Sequence, residues 1–339
     1  MDIEMGNISV GVDRDLIVKR YMSLDKFESL LTSGKLYFPR FDRFVDQLEG
    51  GITGQNYPDI SVSLEIFDLA INYRASDPAS PEKEQAEKRI NEINNETFEG
   101  LFGSEKKLNG DTYLKTINSW LYANCWTDLN HECEAMWSLY GITGAGCNHD
   151  EYCPRCERTH GTSVCIETTV GSILDNLEFD ERYNFSIQKV EYIDHKTTKF
   201  GTNELSTKPF YSKAKHFSYE NEIRLILWPD RNNISFDYAF GKSTVNDEKK
   251  VELKIKNMSL FINKIILSPV PLKTSIEIRK SHNKNYQSAL GLQESLSNKK
   301  LKAKIESICS AHSVNVQIVD SDLNQVITTD CYTYAEGIR

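Results

Sequence analysis

The sequence predicts an α+β protein built around one main domain. The chain has 339 residues, 39% of them hydrophobic, which is enough for one large domain or two ordinary ones. Strand-like and helix-like segments follow one another in an irregular order, which disfavours a regular doubly wound sheet. The formal net charge is −9, which argues against broad nucleic-acid binding but leaves a local basic groove open.

The hydropathy pattern predicts no membrane partner. No stretch approaches the roughly 20 consecutive apolar residues that span a bilayer, and the acidic, polar start does not resemble a secretory signal. We therefore expect a cytoplasmic protein. Thiols stay reduced in that compartment, so clustered cysteines suggest a metal site before a disulfide.

The first elements are predicted to be strand, helix and strand. Residues 16–21 form a β-prone run, and Ser23 is the expected N-cap of the helix that follows. Gly34 is the expected residue after that helix, where a left-handed backbone is common. Residues 36–38 then begin the second strand, which Pro39 ends.

The rest of the main domain, residues 1–270, is predicted from similar patterns. Residues 52–115 contain a Pro/Ser break and a strongly charged run, which predict a helical insertion on the outside of the domain. The remaining predictions are strands at 119–126, 162–168, 185–192, the second half of 208–228, 251–255 and 261–267, and short helices at 132–140 and 170–177. Residues 271–339 are predicted to be a helical C-terminal extension with a last strand at 314–319.

Six of the eight cysteines lie between Cys125 and Cys165, and the loop 142–161 within this region predicts a structural zinc site. A Cys-x-x-Cys turn lets two thiolates bind one ion at about 2.3 Å from each sulfur. The predicted ligands are Cys147, Cys153, Cys156 and His160, with His149, Cys133 and Cys165 as alternatives for the fourth position. Four protein ligands would close the zinc shell, which favours a structural zinc over a catalytic one. A redox pair and a loop with unligated thiols are the other interpretations.

Several separated blocks resemble a bacterial family of unknown function, and the resemblance covers roughly residues 16–270. The blocks are Lys19-Arg20-Tyr21 with Leu36-Tyr37-Phe38, Phe44 through Gly50, Cys125-Trp126-Thr127, Met136 through Tyr140, Thr162 through Glu167, and Lys215 through Leu225. The family is known as domain of unknown function 2971. Val45 and Gln47 stand where the family has Asn and Pro, and the cysteine-rich loop is an insertion relative to it.

The same blocks are more loosely similar to the ADP-ribosyltransferase fold, which implies a mixed-sheet core of that type. Glu220 and Glu222 are two residues apart, so on a strand they would share one face with Arg224. In that fold an arginine on the first strand holds NAD, aromatic rings contact the nicotinamide, and a glutamate stabilises the oxocarbenium-like ribose. Cleavage of the glycosidic bond builds positive charge that a fixed carboxylate can stabilise.

The resemblance implies an NAD-dependent, ADP-ribosyltransferase-like bacterial effector in toxin action or antiviral defence. Glu222 or Glu220 would be the catalytic carboxylate. The residues that would contact the cofactor are Arg20, Tyr21, Trp137, Tyr140 and Arg224. The acceptor, a protein or a nucleic acid, is not identified by the sequence.

Three alternatives stay open. The chain could be a non-enzymatic nucleotide-binding or nucleic-acid-binding sensor. It could be a metal-dependent nuclease or hydrolase with Asp46, Glu49 and Glu220 as the acid cluster. The charged residues near Arg224 could also be an ion-pair ladder with a purely structural role.

The zinc prediction is tested by the metal content of the protein purified without chelator. We expect about one zinc per chain, and a Cys153→Ser, Cys156→Ser double variant should lose it because two of four ligands are gone. Cys309→Ser is the matched control, since Cys309 lies far from the loop in sequence. A zinc content far below about one per chain would reject the site.

Overall fold

The computed structural model describes the chain in separate stretches. These are residues 3–5, 7–44, 46, 48–56, 68–71, 73–75, 77, 80–95, 98–100, 103–105, 117–141, 163–201, 203–229, 236–237, 242–243, 246–269 and 299–324. The predicted zinc loop lies outside them, and with it Cys147, His149, Cys153, Cys156 and His160. The zinc site therefore stays a prediction.

A nine-stranded mixed sheet is the largest feature of the described chain. From one edge to the other its strands are β1 (Ile3–Met5), β2 (Ile8–Val10), β9 (Tyr183–Lys189), β12 (Glu222–Pro229), β7 (Tyr122–Thr127), β3 (Ile17–Ser23), β8 (Ser163–Thr169), β16 (Lys264–Leu267) and β17 (Gln317–Val319). The β2–β9 and β16–β17 pairs are parallel, and the other pairs of the sheet are antiparallel.

Smaller elements surround this sheet. Two-stranded ribbons pair β4 (Lys35–Pro39) with β15 (Lys250–Lys254), β5 (Phe98–Gly100) with β6 (Gly103–Glu105), β10 (Glu191–Ile193) with β11 (Ser212–Ala214), and β13 (Phe236–Asp237) with β14 (Lys242–Ser243). The described α-helices are Leu24–Ser33, Pro81–Asn95, Glu134–Tyr140, Val170–Asn176, Met258–Phe261 and Lys299–Ala311. Short 3₁₀ helices span Phe41–Arg43, Gly54–Asn56, Ile117–Trp120, Lys208–Tyr211 and Lys215–Glu220. In the described part of the chain, no helix has both the length and the apolar character needed to cross a membrane.

One face of the sheet carries the main hydrophobic core. Strand residues of alternating position, such as Val18, Ile166, Ile223 and Leu225, meet the apolar side of the helix Leu24–Ser33 there. The opposite face carries two smaller apolar clusters. One contains Phe41, Leu121, Ala123, Phe210 and Ile226, and the other contains Tyr21, Leu129, Met136, Trp137, Cys165 and Ile266. The polar residues that form the candidate site lie between these two clusters.

Strand β7 is where the sheet divides. It pairs with β12 along its whole length, but with β3 through the single pair Thr127–Lys19. Towards the N-terminal end of β7, the ribbon strand β4 takes the place of β3. The contacts there are a bridge from Tyr122 to Arg40 and a hydrogen bond from Asn124 Nδ2 to the Tyr37 carbonyl (2.8 Å). Strands β3 and β7 therefore diverge from Thr127 towards Tyr122.

The C-terminal residues belong to the same core. Leu301, Ile305 and Cys309 of the helix Lys299–Ala311 pack into the main core, and β17 extends the sheet beside β16. Residues 317–319 thus form an edge strand of the main sheet. Because the helix and the strand both join the main core, the described C-terminal residues pack with the main domain.

The sequence predicted most of these elements to within a few residues. The N-terminal helix begins at Leu24 after Ser23, although the Ser23 side chain makes no capping hydrogen bond, and it ends at Gly34 with φ of 63°. The α+β expectation agrees at the level of a large mixed sheet with several helices. Within residues 52–115 the helix Pro81–Asn95 is mostly exposed, but Ile52 and Thr53 are buried in the body of the domain.

Candidate functional site

A completely buried arginine is the centre of the site. Residues alternate along β12, so Ile223 and Leu225 enter the main core while Glu222 and Arg224 point to the other face. The Arg224 side chain is 0% exposed. Its Nε and Nη2 donate to Glu222 at 2.6 and 3.0 Å, and Nη2 also donates to Glu49 Oε2 at 3.0 Å. Its Nη1 donates to the Phe210 carbonyl at 2.8 Å, so every guanidinium nitrogen has a partner.

Lys213 on β11 connects three carboxylates. Its Nζ lies 3.0 Å from Glu49 Oε1, 2.7 Å from Glu220 Oε2 and 3.2 Å from Glu222 Oε2. All of these side chains are at least nine-tenths buried, which makes the contacts strong and the loss of any one partner costly. We call this group the charge cluster; its members are Glu49, Lys213, Glu220, Glu222 and Arg224.

The charge cluster contains three acids and two bases, so its charge is 2 − 3 = −1 when all are ionised. Burial alone would raise the pKa of Glu222, but Arg224 and Lys213 outweigh it and lower the pKa to about 2. Burial raises the pKa of Glu49, and the two cations offset that only in part. As the pH falls, Glu49 therefore takes up a proton before Glu222 does.

Gly50 is what lets Glu49 enter the cluster. Its φ of 74° is a left-handed backbone that side chains with a Cβ rarely adopt. A Cβ on Gly50 would lie 2.3 Å from Asn118 Oδ1, and the Asn118 Nδ2 donates to the Glu49 carbonyl at 3.0 Å. The turn at 49–50 is thus closed tightly against Asn118, and this fixes the direction of the Glu49 side chain.

Glu220 reaches the cluster by a different route from the one the sequence suggests. The expectation that Glu220 and Glu222 lie on one strand is wrong, because Glu220 ends the 3₁₀ helix Lys215–Glu220 and β12 begins at Glu222. Asn221 between them has φ of 41°, a left-handed conformation that asparagine tolerates better than most residues. The two carboxylates nevertheless meet, since both contact Lys213.

The helix Glu134–Tyr140 holds the predicted aromatic residues above this face. Trp137 is 6% exposed and packs edge-on against Tyr21, with ring centroids 4.8 Å apart. Tyr140 is 38% exposed, and its hydroxyl donates to Glu220 Oε1 at 2.8 Å. Burial, and then the Glu220 carboxylate, raise the pKa of Tyr140, so its hydroxyl remains a donor at neutral pH. Tyr140 is therefore the exposed side chain through which the buried cluster meets the surface.

Arg20 is not brought into the charge cluster. Its position on β3 places it on the face of Val18 and Met22, with its guanidinium 6.0 Å from the centroid of Trp126. Among the described residues it has no carboxylate within hydrogen-bonding distance, and burial lowers its pKa to about 10. Cys125 links the two regions, because its thiol is an electrostatic neighbour of Arg20 and of Glu222.

Six of the seven predicted catalytic and cofactor-contacting residues therefore share one face. These are Tyr21, Trp137, Tyr140, Glu220, Glu222 and Arg224, while Arg20 lies on the other face near the divergence of β3 and β7. The ion-pair alternative is also visible in the same contacts, since Glu222 and Arg224 do form a bidentate pair.

Sequence reasoning missed several polar members of this face. Lys213 has no local signal other than two nearby glutamates. The register also aligns a polar row across five strands, Glu222, Thr127, Lys19, Glu167 and Lys264. Within this row Glu167 lies 2.7 Å from Lys264 and 3.9 Å from Lys19. Only the pairing of strands could have revealed it.

The acids proposed for a metal-dependent hydrolase are not arranged as a metal site. Glu49 and Glu220 both contact Lys213, and Asp46 Oδ1 accepts from the Leu48 amide in its own turn. In the stretches that the structure describes, no three His, Cys, Asp or Glu side chains are grouped so as to hold a metal ion. Cys165, an alternative zinc ligand, is fully buried on β8, and Cys133 precedes the helix Glu134–Tyr140.

We expect Gly50→Ala to destabilise the protein by more than Gly34→Ala. Both glycines have positive φ, so both variants bear backbone strain of about 1–2 kcal/mol. Only at Gly50 would the new methyl group collide with Asn118, because nothing lies within 4 Å of a Cβ at Gly34. Urea unfolding measures the difference. Equal losses in the two variants would contradict the tight closure of the 49–50 turn.

Glu222→Gln is expected to flatten the acid side of the stability curve. The folded-state pKa of Glu222 is lowered from 4.5 to about 2, so its contribution is present above about pH 4.5 and is lost as the pH falls through about 2. That contribution is on the order of 3 kcal/mol. Urea unfolding from about pH 7 down to about pH 2 measures it.

Glu49→Gln is the matched control for this titration. The pKa of Glu49 is raised, so its contribution is present below its unfolded pKa and is lost as the pH rises through the folded pKa. The two variants should therefore change the pH dependence in opposite directions. Identical pH profiles would contradict the opposite directions of the two pKa shifts.

Comparison of the chain with protein-family models, with curated proteins and with solved structures gives no match. The resemblances described from the sequence therefore depend on the quoted blocks alone. What the charge cluster does is a matter for proposal from its geometry.

Proposed function

We propose that the protein is an NAD-dependent, ADP-ribosyltransferase-like enzyme whose reacting carboxylate is Glu220. The contact that carries this proposal is the one between Tyr140 and Glu220. Every other carboxylate of the charge cluster has both oxygens engaged by buried cations, but Glu220 has one oxygen on Lys213 and the other on an exposed tyrosine. A displacement of the Tyr140 side chain would free a carboxylate oxygen at the surface.

Lys213 contacts the Glu220 carboxylate from the buried side, at 2.7 Å. Burial would lower the pKa of Lys213, but Glu222, Glu49 and Glu220 raise it, so its ammonium group stays charged. That fixed charge holds the Glu220 carboxylate in place through the contact at 2.7 Å. A carboxylate in a buried, preorganised setting is the group that stabilises positive charge on a ribose whose glycosidic bond is breaking.

The proposed reaction transfers the ADP-ribosyl group from NAD to a nucleophile of the acceptor. The bond between ribose C1′ and the nicotinamide nitrogen breaks, and nicotinamide leaves with the bonding electrons. Glu220 stabilises the positive charge left on the ribose. A nucleophile of the acceptor then forms a new bond to C1′ and releases its proton. The acceptor, a protein or a nucleic acid, is not specified by the described residues.

The surroundings of Arg20 favour the binding of an anionic substrate. Its guanidinium lies over the Trp126 ring and has no acid partner among the described residues. Burial lowers the pKa of Lys26, and the nearby charge of Arg20 lowers it further. Two cations placed together without a carboxylate disfavour each other, and a diphosphate would relieve that cost. Because Arg20 follows Lys19, the one residue at which β3 pairs with β7, we propose that the diphosphate lies at this divergence.

Glu220→Gln should abolish NAD turnover while the fold is retained. Loss of one stabilising group of this kind lowers rate by on the order of 100-fold or more. The measurement is nicotinamide release and label transfer from labelled NAD, with purified protein and mixed cell extract. Glu252→Gln is the matched control, because Glu252 lies on the ribbon strand β15, where it pairs with Lys35 and Lys250 outside the charge cluster.

The possible outcomes separate the proposal from its rivals. Retained turnover in Glu220→Gln overturns the assignment of the carboxylate. NAD binding without consumption by the parent protein would favour a nucleotide-binding sensor. Activity on nucleic acid that requires added Mg²⁺ or Mn²⁺ and vanishes in Asp46→Asn would favour the metal-dependent hydrolase.

A further inference from the structure

The C-terminal segment 319–324 covers the aromatic part of the candidate site. Val319 and Leu323 pack against the apolar cluster that contains Tyr21 and Trp137. Ser321 is 2% exposed, so this segment lies against the body of the domain. Trp137, one of the two rings that the resemblance assigns to the nicotinamide pocket, thus belongs to a cluster that the chain itself covers.

Glu132 holds the segment in place through hydrogen bonds to Ser321 and Asp322, which we call the Glu132 latch. Its Oε2 accepts from the Ser321 hydroxyl at 2.7 Å, and its Oε1 accepts from the Asp322 amide at 2.6 Å. The same Oε2 accepts from the Trp137 indole at 3.0 Å. One carboxylate therefore ties the C-terminal segment to the ring on which it rests. Hydrogen bonds to a charged acceptor of this kind are the stronger ones in proteins.

The segment can leave without breaking the sheet. Strand β17 is held to β16 by the pairs that end at Val319–Ile266, and the helix Lys299–Ala311 is anchored separately in the main core. Residues 320–324 make no strand pairing in the described structure. A short segment with few buried apolar contacts is the kind of element that opens locally well below the free energy of global unfolding.

We propose that residues 320–324 form an intramolecular plug, which closes the Tyr21–Trp137 face of the candidate site and leaves it when the Glu132 latch is broken. This proposal depends on the proposed function for its effect on activity, but not for the contact itself. Release of the plug would uncover Trp137 while Tyr140 keeps its bond to Glu220. The plug and the Tyr140 contact are then two separate closures of one face.

The contact is tested with full-length protein labelled with 5-fluorotryptophan. The four tryptophans give four ¹⁹F resonances, and Trp137→Phe identifies one of them. Leu323→Asp and Ser321→Ala should move the Trp137 resonance and leave the others in place. Leu260→Asp is the matched control, because Leu260 is 60% exposed on the helix Met258–Phe261 and is not part of the apolar cluster that contains Trp137. A Trp137 resonance that stays unmoved, or four resonances that move together, would overturn the plug.

Nicotinamide and NAD turnover give the second readout. With the plug released, free nicotinamide should shift the Trp137 resonance in Leu323→Asp and not in the parent, and NAD turnover should rise several-fold. If Trp137 moves and turnover falls, the segment builds the site instead of closing it, and the proposal is wrong. If Trp137 and nicotinamide behave as expected but no variant consumes NAD, the plug stands and the proposed function fails.

Discussion

The buried guanidinium of Arg224 is the interaction on which the rest of this site depends. A charge that is 0% exposed cannot persist without partners, and the surrounding chain supplies them from three separate regions: the 49–50 turn, the carbonyl of Phe210 and the start of β12. Lys213 then becomes necessary, because two carboxylates on one guanidinium leave negative charge unbalanced. The turn, the 3₁₀ helices and β11 are held together by this electrostatic requirement as much as by apolar packing.

The three carboxylates of the charge cluster meet this requirement in different ways. Glu222 is held ionised and inaccessible by its bidentate pair, while burial raises the pKa of Glu49 in its tight turn. Glu220 alone is joined to an exposed partner. A structural ion-pair network and a reactive carboxylate are therefore not competing descriptions of this face. The network supplies the fixed charges, and the residue at its margin is the one that a substrate can meet.

Local signals predicted the fold well where they were sufficient. Gly34 ends its helix in the expected conformation, and the strand of the Glu-Ile-Arg-Leu block begins at Glu222, in the half where it was expected. Sequence reasoning singled out Glu49, Glu220, Glu222 and Arg224 but neither their geometry nor Lys213. Alternation along one strand cannot show that Asn221 reverses the backbone between two glutamates, or that Lys213 from another ribbon stands between them. The position of Arg20 likewise follows from strand pairing, which a single sequence does not display.

The single residue pair between β3 and β7 has a mechanical consequence. The sheet consists of two hydrogen-bonded blocks, β1–β2–β9–β12–β7 and β3–β8–β16–β17, joined directly by Thr127 and Lys19 alone. The first block carries Glu222 and Arg224, and the second carries Arg20, Tyr21 and the strand before the plug. A shear between the blocks would break few backbone hydrogen bonds, so resistance to it comes mainly from the apolar core, to which both blocks contribute. A ligand that bridged the seam would add a further connection between the two blocks.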